Sequence, residues 1–204
     1  MEFLETLLVE KGEIKNWKLH RARMERTLYH FYRWSPPSRF YFPVWRVGKP
    51  PTGKYRMRVV YSRRGIESVE LFPLPLRQFK RFGVVEVENL EYRFKYLDRT
   101  SLNRIRELFP EMDEVIIVKN GFVTDTTISN LAFWTGERWI TPSTPLLKGT
   151  MLEWLLKEKK VESVPIKRSD LPFFKKLALL NALLGFEVIE EFQLFPLTHL
   201  GEGE

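Results

Sequence analysis

Lys95 stands in the stretch FKYLDRTSLN, behind an aromatic residue and three positions ahead of the pair Asp98-Arg99. An amine drawn out of bulk water gives up its proton more readily and becomes a nucleophile or a base. Thirty residues later comes NGFVTDTTISNLAFW, where Asp125 is followed by Thr126, Thr127, Ser129 and Asn130. Apolar strand-like runs flank that polar group, so its members lie near a core and need hydrogen-bond partners. A third segment, TPSTPLLKGTMLEWLL, sets Gly149 and Thr150 at the opening of an amphipathic helix. Backbone N–H groups at such an opening, with a hydroxyl beside them, suit a phosphate-sized anion.

These segments must be carried by a scaffold, and the pattern of the chain predicts one. FLETLLV over residues 3–9 reads as a strand, with a turn at Lys11-Gly12. Apolar residues at near-helical spacing from Trp17 to Trp34 predict a helix, which SPPSRFYFPV ends. KYRMRVVYS and IESVELFPL alternate as two antiparallel strands joined at Arg64-Gly65, and GVVEVENL adds another. Tyr96 to Phe109 is expected to be helical, which places Lys95 at a helix start. DEVIIVKNGFVTD is a hairpin turning at Asn120-Gly121, a strong short-range hairpin signal. NLAFWTGERWIT is a second, turning at Thr135-Gly136. Short strands at VESVPIK, LALLNAL and FEVIEEF surround a helix near SDLPFFKK. The expectation is an α+β chain in two lobes, residues 1–80 and 81–204, with a ligand cleft where they meet.

Composition bounds the function. The chain has 204 residues, 44% hydrophobic and 14% aromatic, as a folded globular protein requires. Cysteine is absent, which removes disulfides, thiolate nucleophiles and cysteine-based metal sites. The three histidines, His20, His30 and His199, show no ligand spacing. No apolar run reaches the roughly 18 residues of a membrane span, and the N-terminus lacks the order of a signal peptide. The expected location is therefore cytoplasmic, with no membrane partner. A formal charge of +7 invites a nucleic-acid reading. The positive residues are nevertheless spread along the chain among 26 acids, and no nucleic-acid-binding signature stands out, so no nucleic-acid partner is expected.

Amine, carboxylate and anion cradle together are what pyridoxal phosphate requires. In their order and wording these segments resemble the class IV aminotransferases, the fold-type IV pyridoxal-phosphate enzymes. The resemblance runs from FLETL to NALLGFEVI and is nearest the aminodeoxychorismate lyase branch. It implies an N-terminal α/β lobe and a C-terminal β-barrel-like lobe with helices. KYLDR matches the lyase pattern K-x-L-[ND]-R, which implies that Lys95 is the catalytic lysine that also carries the cofactor. VTDTTISN resembles V-T-E-x-x-x-x-N, whose acid pairs with the pyridine nitrogen, and points to Asp125. HRARM resembles H-x-x-R-L and gives the phosphate-binding role to Arg23, while LLKGTM resembles L-x-G-[IT] and gives Gly149 and Thr150 the same anion. Asn181 and Ala182, in NAL, resemble a stretch beside the phosphate. Arg56 and Arg58, on one face of a strand, are candidates for a substrate carboxylate.

The chain departs from the family pattern twice. Its acid is Asp where Glu is usual, and it starts at FLETL without the preceding segment most members carry. Each residue also has a plainer reading: Lys95 as surface charge, Asp125 as a turn residue, Arg23 on a solvated helix face, Thr150 as an ordinary helix start. His20 reads as a packed structural histidine, and Arg56 and Arg58 as solvent-facing. The resemblance implies a homodimer acting on a small-molecule amine. Its expected reaction splits 4-amino-4-deoxychorismate into pyruvate and 4-aminobenzoate. Transamination of branched-chain or D-amino acids is the alternative.

Overall fold

β1 (Phe3–Glu10) turns back through Lys11 and Gly12, both at positive φ, into the short β2 (Glu13–Ile14). These lie in a computed structural model that describes residues 1–48 and 52–197. The helix α1 (Trp17–Tyr32) follows and ends at Arg33, whose left-handed backbone lets its N–H bond Tyr29 O. After a 3₁₀ turn at Ser38–Tyr41 and the short α2 (Phe42–Arg46) come β3 (Lys54–Ser62) and β4 (Gly65–Pro73). The sheet order is β2-β1-β3-β4, antiparallel throughout, with Phe3 opposite Tyr61 and Val9 opposite Tyr55. Strand alternation sends Phe3, Leu7, Val9, Met57, Val59 and Tyr61 into one core with Met24 and Leu28 of α1. Each such fully buried aliphatic side chain contributes roughly 1.5–3 kcal/mol. Glu5 shares the parity of Phe3 and Leu7, so the strand period delivers a carboxylate into that core.

This first unit comprises Met1–Leu76 together with the distant segment Phe94–Asp98. Tyr96 bridges Phe3, Leu4 N–H donates to Lys95 O at 2.9 Å, and Leu97 N–H donates to Glu2 O at 3.1 Å. The expected helix from Tyr96 therefore begins later, as α3 (Thr100–Leu108). Lys95 is not at a helix start but in an irregular segment, spanned by a bond from Tyr96 N–H to Phe94 O at 2.9 Å. The reason is pairing: the backbone groups around it are taken by β1, and tertiary hydrogen bonds override local helical preference.

The second unit takes Arg77–Arg93 and the chain from Arg99 onward. Here β5 (Arg81–Glu86), α3, β6 (Glu114–Lys119), β7 (Phe122–Thr126), β8 (Asn130–Trp134) and β9 (Trp139–Pro142) follow in turn. The helix α4 (Thr150–Lys157) leads to β10 (Glu162–Val164) and a 3₁₀ turn at Arg168–Phe173, where a helix was expected. Then come β11 (Leu177–Asn181), β12 (Gly185–Ile189) and β13 (Gln193–Pro196). Two sheets result, ordered β13-β5-β6-β7 and β10-β9-β8-β11-β12. Phe82, Ile116 and Val118 of one share a core with Leu131, Phe133 and Leu179 of the other. Asn120 and Gly121, at φ 53° and 77°, form the tight β6–β7 turn. Leu152 and Leu155 of α4 pack on Ala132, Ala178 and Leu180, where small residues admit the helix closely. Among the described residues no helix is long and apolar enough to cross a membrane.

Candidate active site

Apart from Arg56 and Arg58, the expected site residues fall into two groups, one in each unit. In the first, His20 and Arg23 lie one helical turn apart on α1 and face Glu5 of β1. Arg23 grips Glu5 with a fork: Nε donates to Oε1 at 2.8 Å and Nη2 to Oε2 at 2.6 Å. His20 Nδ1 is 2.6 Å from the same Oε2. Glu5 and His20 are fully buried and Arg23 nearly so. Burial alone would raise the Glu5 carboxyl, but the Arg23 charge and the hydrogen bonds from Arg23 and His20 hold it down at about 2. Burial lowers the His20 pKa more than Glu5 raises it, and the Arg23 and Lys95 charges lower it further. The ring is thus neutral, and since Glu5 is ionised, Nδ1 must carry the proton it donates. Nε2 has no hydrogen-bond partner among the described residues.

Lys95 belongs to this same unit. Its side chain is half-buried and its backbone is fixed to β1 as described.

The second cluster centres on Asp125, buried near the end of β7. Asn130 Nδ2 donates to Oδ1 at 2.7 Å and Leu147 N–H to Oδ2 at 3.0 Å. Asn130 also donates to Leu147 O at 2.7 Å and accepts the Gly149 N–H at 3.0 Å. One amide thereby ties the acid to the start of α4. A Cβ at Gly149 would collide with Asn130 Oδ1, so the close approach and not the backbone angle (φ −68°) calls for glycine. Burial drives the Asp125 carboxyl up to about 7, against the Leu147 N–H, the Asn130 amide and the Leu146 N–H. No cation bonds it among the described residues, which sets it apart from Glu5.

The polar run after Asp125 closes on itself. Thr126 Oγ1 accepts N–H bonds from Ile128 and Ser129, and Thr127 donates through N–H and hydroxyl to the buried Glu114. Burial raises the Glu114 carboxyl, and these bonds oppose the rise. Arg99, the last residue of KYLDR, donates from Nη2 to Thr127 O at 2.6 Å. Asn181 donates to Ser129 Oγ at 2.7 Å, and its Oδ1 accepts the Leu183 and Leu184 N–H groups, wrapping the turn around Ala182. Thr150 is buried as the first residue of α4, and no side chain caps that helix. Arg56 and Arg58 stand elsewhere, on the opposite face of β3 from its core residues. Arg58 pairs with Glu70 at 2.9 Å, and Arg56 lies over the Phe72 ring at 5.0 Å.

Glu5, Arg99 and Glu114 were not singled out from the sequence. Glu5 could have been, since an acid at the core parity of FLETLLV requires a buried partner. Among the described residues no cluster of His, Asp and Glu could hold a metal ion, and His199 lies outside them. A buried acid without a cation does fit a group that brings a protonated ring nitrogen, as pyridoxal phosphate does.

The family model for amino-transferase class IV matches residues 84–191. An uncharacterized protein of Haemophilus influenzae is 36% identical over 183 residues, covering 89% of this chain and 97% of its own. The chain belongs to the class IV aminotransferase family. Class IV aminotransferases depend on pyridoxal phosphate and act on small-molecule amines. A crystal structure from Haemophilus somnus, of a protein provisionally named a 4-amino-4-deoxychorismate lyase, superposes with a TM-score of 0.81. It is 32% identical, over 90% of this chain and 97% of that one. A hypothetical aminotransferase from Mycobacterium tuberculosis, solved with pyridoxal phosphate bound, has a TM-score of 0.73 at 17% identity. It covers 94% of this chain and 81% of its own, and its likeness concerns the fold. The chain spans nearly the whole length of both Haemophilus proteins.

Proposed function

We propose that this protein is a pyridoxal-phosphate-dependent 4-amino-4-deoxychorismate lyase of folate biosynthesis, working in the cytoplasm as a homodimer. The observation that carries the cofactor reading is Asp125, a buried carboxyl held near neutrality for want of a cation. A protonated pyridine nitrogen would supply that cation, and the ionised Asp125 would hold the proton on it. Asp is shorter than the usual Glu, and the bonds from Asn130 and Leu147 fix it in place.

When bound, pyridoxal phosphate supplies an electron sink for the pair released as a substrate C–H bond breaks. Lys95 holds the cofactor and then serves as the base that takes that proton at its Nζ. Asp125 keeps the proton on the ring nitrogen. Arg23 and the start of α4 would receive the phosphate, with Gly149 allowing the close approach there and Asn181 and Ala182 beside it. Since the Gly149 N–H is already given to Asn130, the α4 contribution falls to the Thr150 N–H and hydroxyl. Arg56 or Arg58 meets a substrate carboxylate.

The lyase reading is supported by KYLDR and NAL, and by the name of the Haemophilus somnus relative. Purified protein given 4-amino-4-deoxychorismate is expected to release pyruvate with no keto acid added. Pyruvate appearing only in the presence of a keto acid acceptor would instead assign transamination.

A further inference from the structure

We propose that Glu5 is a positioning residue that holds the Arg23 guanidinium in one orientation and His20 in its Nδ1–H tautomer, so that Arg23 meets the cofactor phosphate as a pre-set donor. This rests on the reading of Arg23 as a phosphate ligand given above. The geometry starts from β1. Leu4 and Glu5 are consecutive and face opposite sides of the strand. The Leu4 N–H holds the backbone of Lys95, while the Glu5 side chain holds Arg23 by a fork and His20 by a third bond. Two adjacent strand residues thus fix both the lysine and the arginine that the chemistry needs.

The charge balance explains why orientation matters more than charge. Glu5 is fully buried and ionised, and its one cationic hydrogen-bond partner in the cluster is Arg23, since His20 is neutral. Inside the unit the pair is close to neutral, so Arg23 offers a phosphate directed N–H groups with little net charge. A flat guanidinium held along one edge leaves its remaining geometry determined. A lysine at position 23 would keep the charge and lose the fork.

The test is a titration of the apo-protein with pyridoxal phosphate and, separately, with pyridoxal, which lacks the phosphate. Glu5→Gln is expected to weaken pyridoxal phosphate binding by about tenfold or more, the scale of a hydrogen bond to a charged group, and to leave pyridoxal binding unchanged. Arg23→Lys is expected to lose as much as Arg23→Ala, and Glu5→Gln in the Arg23→Ala background is expected to add nothing. Equal weakening of both ligands by Glu5→Gln, or weakening of neither, overturns the proposal. If Arg23→Ala leaves pyridoxal phosphate affinity intact, the phosphate role of Arg23 falls instead. A nitrogen NMR measurement on the wild-type chain reads the same device without a variant. His20 should be neutral and Nδ1-protonated at neutral pH, since burial lowers its pKa and Nδ1 faces the Glu5 carboxylate. An Nε2–H tautomer, or a doubly protonated ring at neutral pH, overturns the proposal even where Glu5→Gln fails to fold.

Discussion

Glu5 and Asp125 are both carboxyls buried on strands, and their acidities are driven in opposite directions. Glu5 meets a guanidinium along its edge and is held at about 2. Asp125 meets an amide and backbone N–H groups and rises to about 7. Dipoles alone do not offset the loss of water around a buried charge, whereas a forked cation does. The first acid is complete within its own unit, and the second is complete only when something positive arrives. In the proposed site, the contrast would separate a residue that orients its neighbours from one that pairs with the cofactor.

The largest effect should come from making Glu5 resemble Asp125. Arg23→Ala strands a buried carboxylate and is expected to destabilise the chain by about 3–5 kcal/mol. The loss should be fullest at neutral pH. In the wild type, the depressed Glu5 acidity contributes about 3 kcal/mol above pH 4.5, lost as the pH falls toward 2. Denaturant melts of both proteins from acid to neutral pH check this, and a constant difference across that range would contradict it.

Asp125 predicts the reverse slope. Its folded acidity lies above the ordinary 3.8, so the apo-protein should lose about 4 kcal/mol as the pH rises from about 4 past 7. Asp125→Asn removes that slope, so apo stability should change much less over the same range, although activity falls. A smaller effect is expected from Gly149→Ala. The added methyl drives Asn130 away, unpairing Asp125 and the helix start, at about 1–3 kcal/mol by thermal melting. The smallest concerns Arg58→Ala: its partly exposed pair with Glu70 is worth under about 1 kcal/mol. If Arg58 also binds a substrate carboxylate, KM should rise while Tm hardly moves.

The sequence made the local features readable. Asn120-Gly121 declares a tight turn by backbone chemistry alone, and the apolar runs around it declare the hairpin. Asp125 and Gly149 were legible because their segments resemble family patterns. What closes the site was not, because it depends on contacts between distant residues. Leu4 binds Lys95 across more than the length of the expected first lobe, and that pairing delays α3 by four residues from where local pattern starts it. Likewise Leu147 reaches back to Asp125, and Arg99 reaches forward to Thr127. A period of two could place Glu5 in the core, but it could not name Arg23 as the partner waiting there.

The most direct test is a site-resolved titration of the Asp125 carboxyl by carbon NMR, without and with pyridoxal phosphate. Titration near pH 7 in the apo-protein, moving well to the acid side when the cofactor binds, is the result expected here. An Asp125 already ionised at pH 5 without cofactor, or unmoved by its binding, would contradict the pairing of this acid with the cofactor ring.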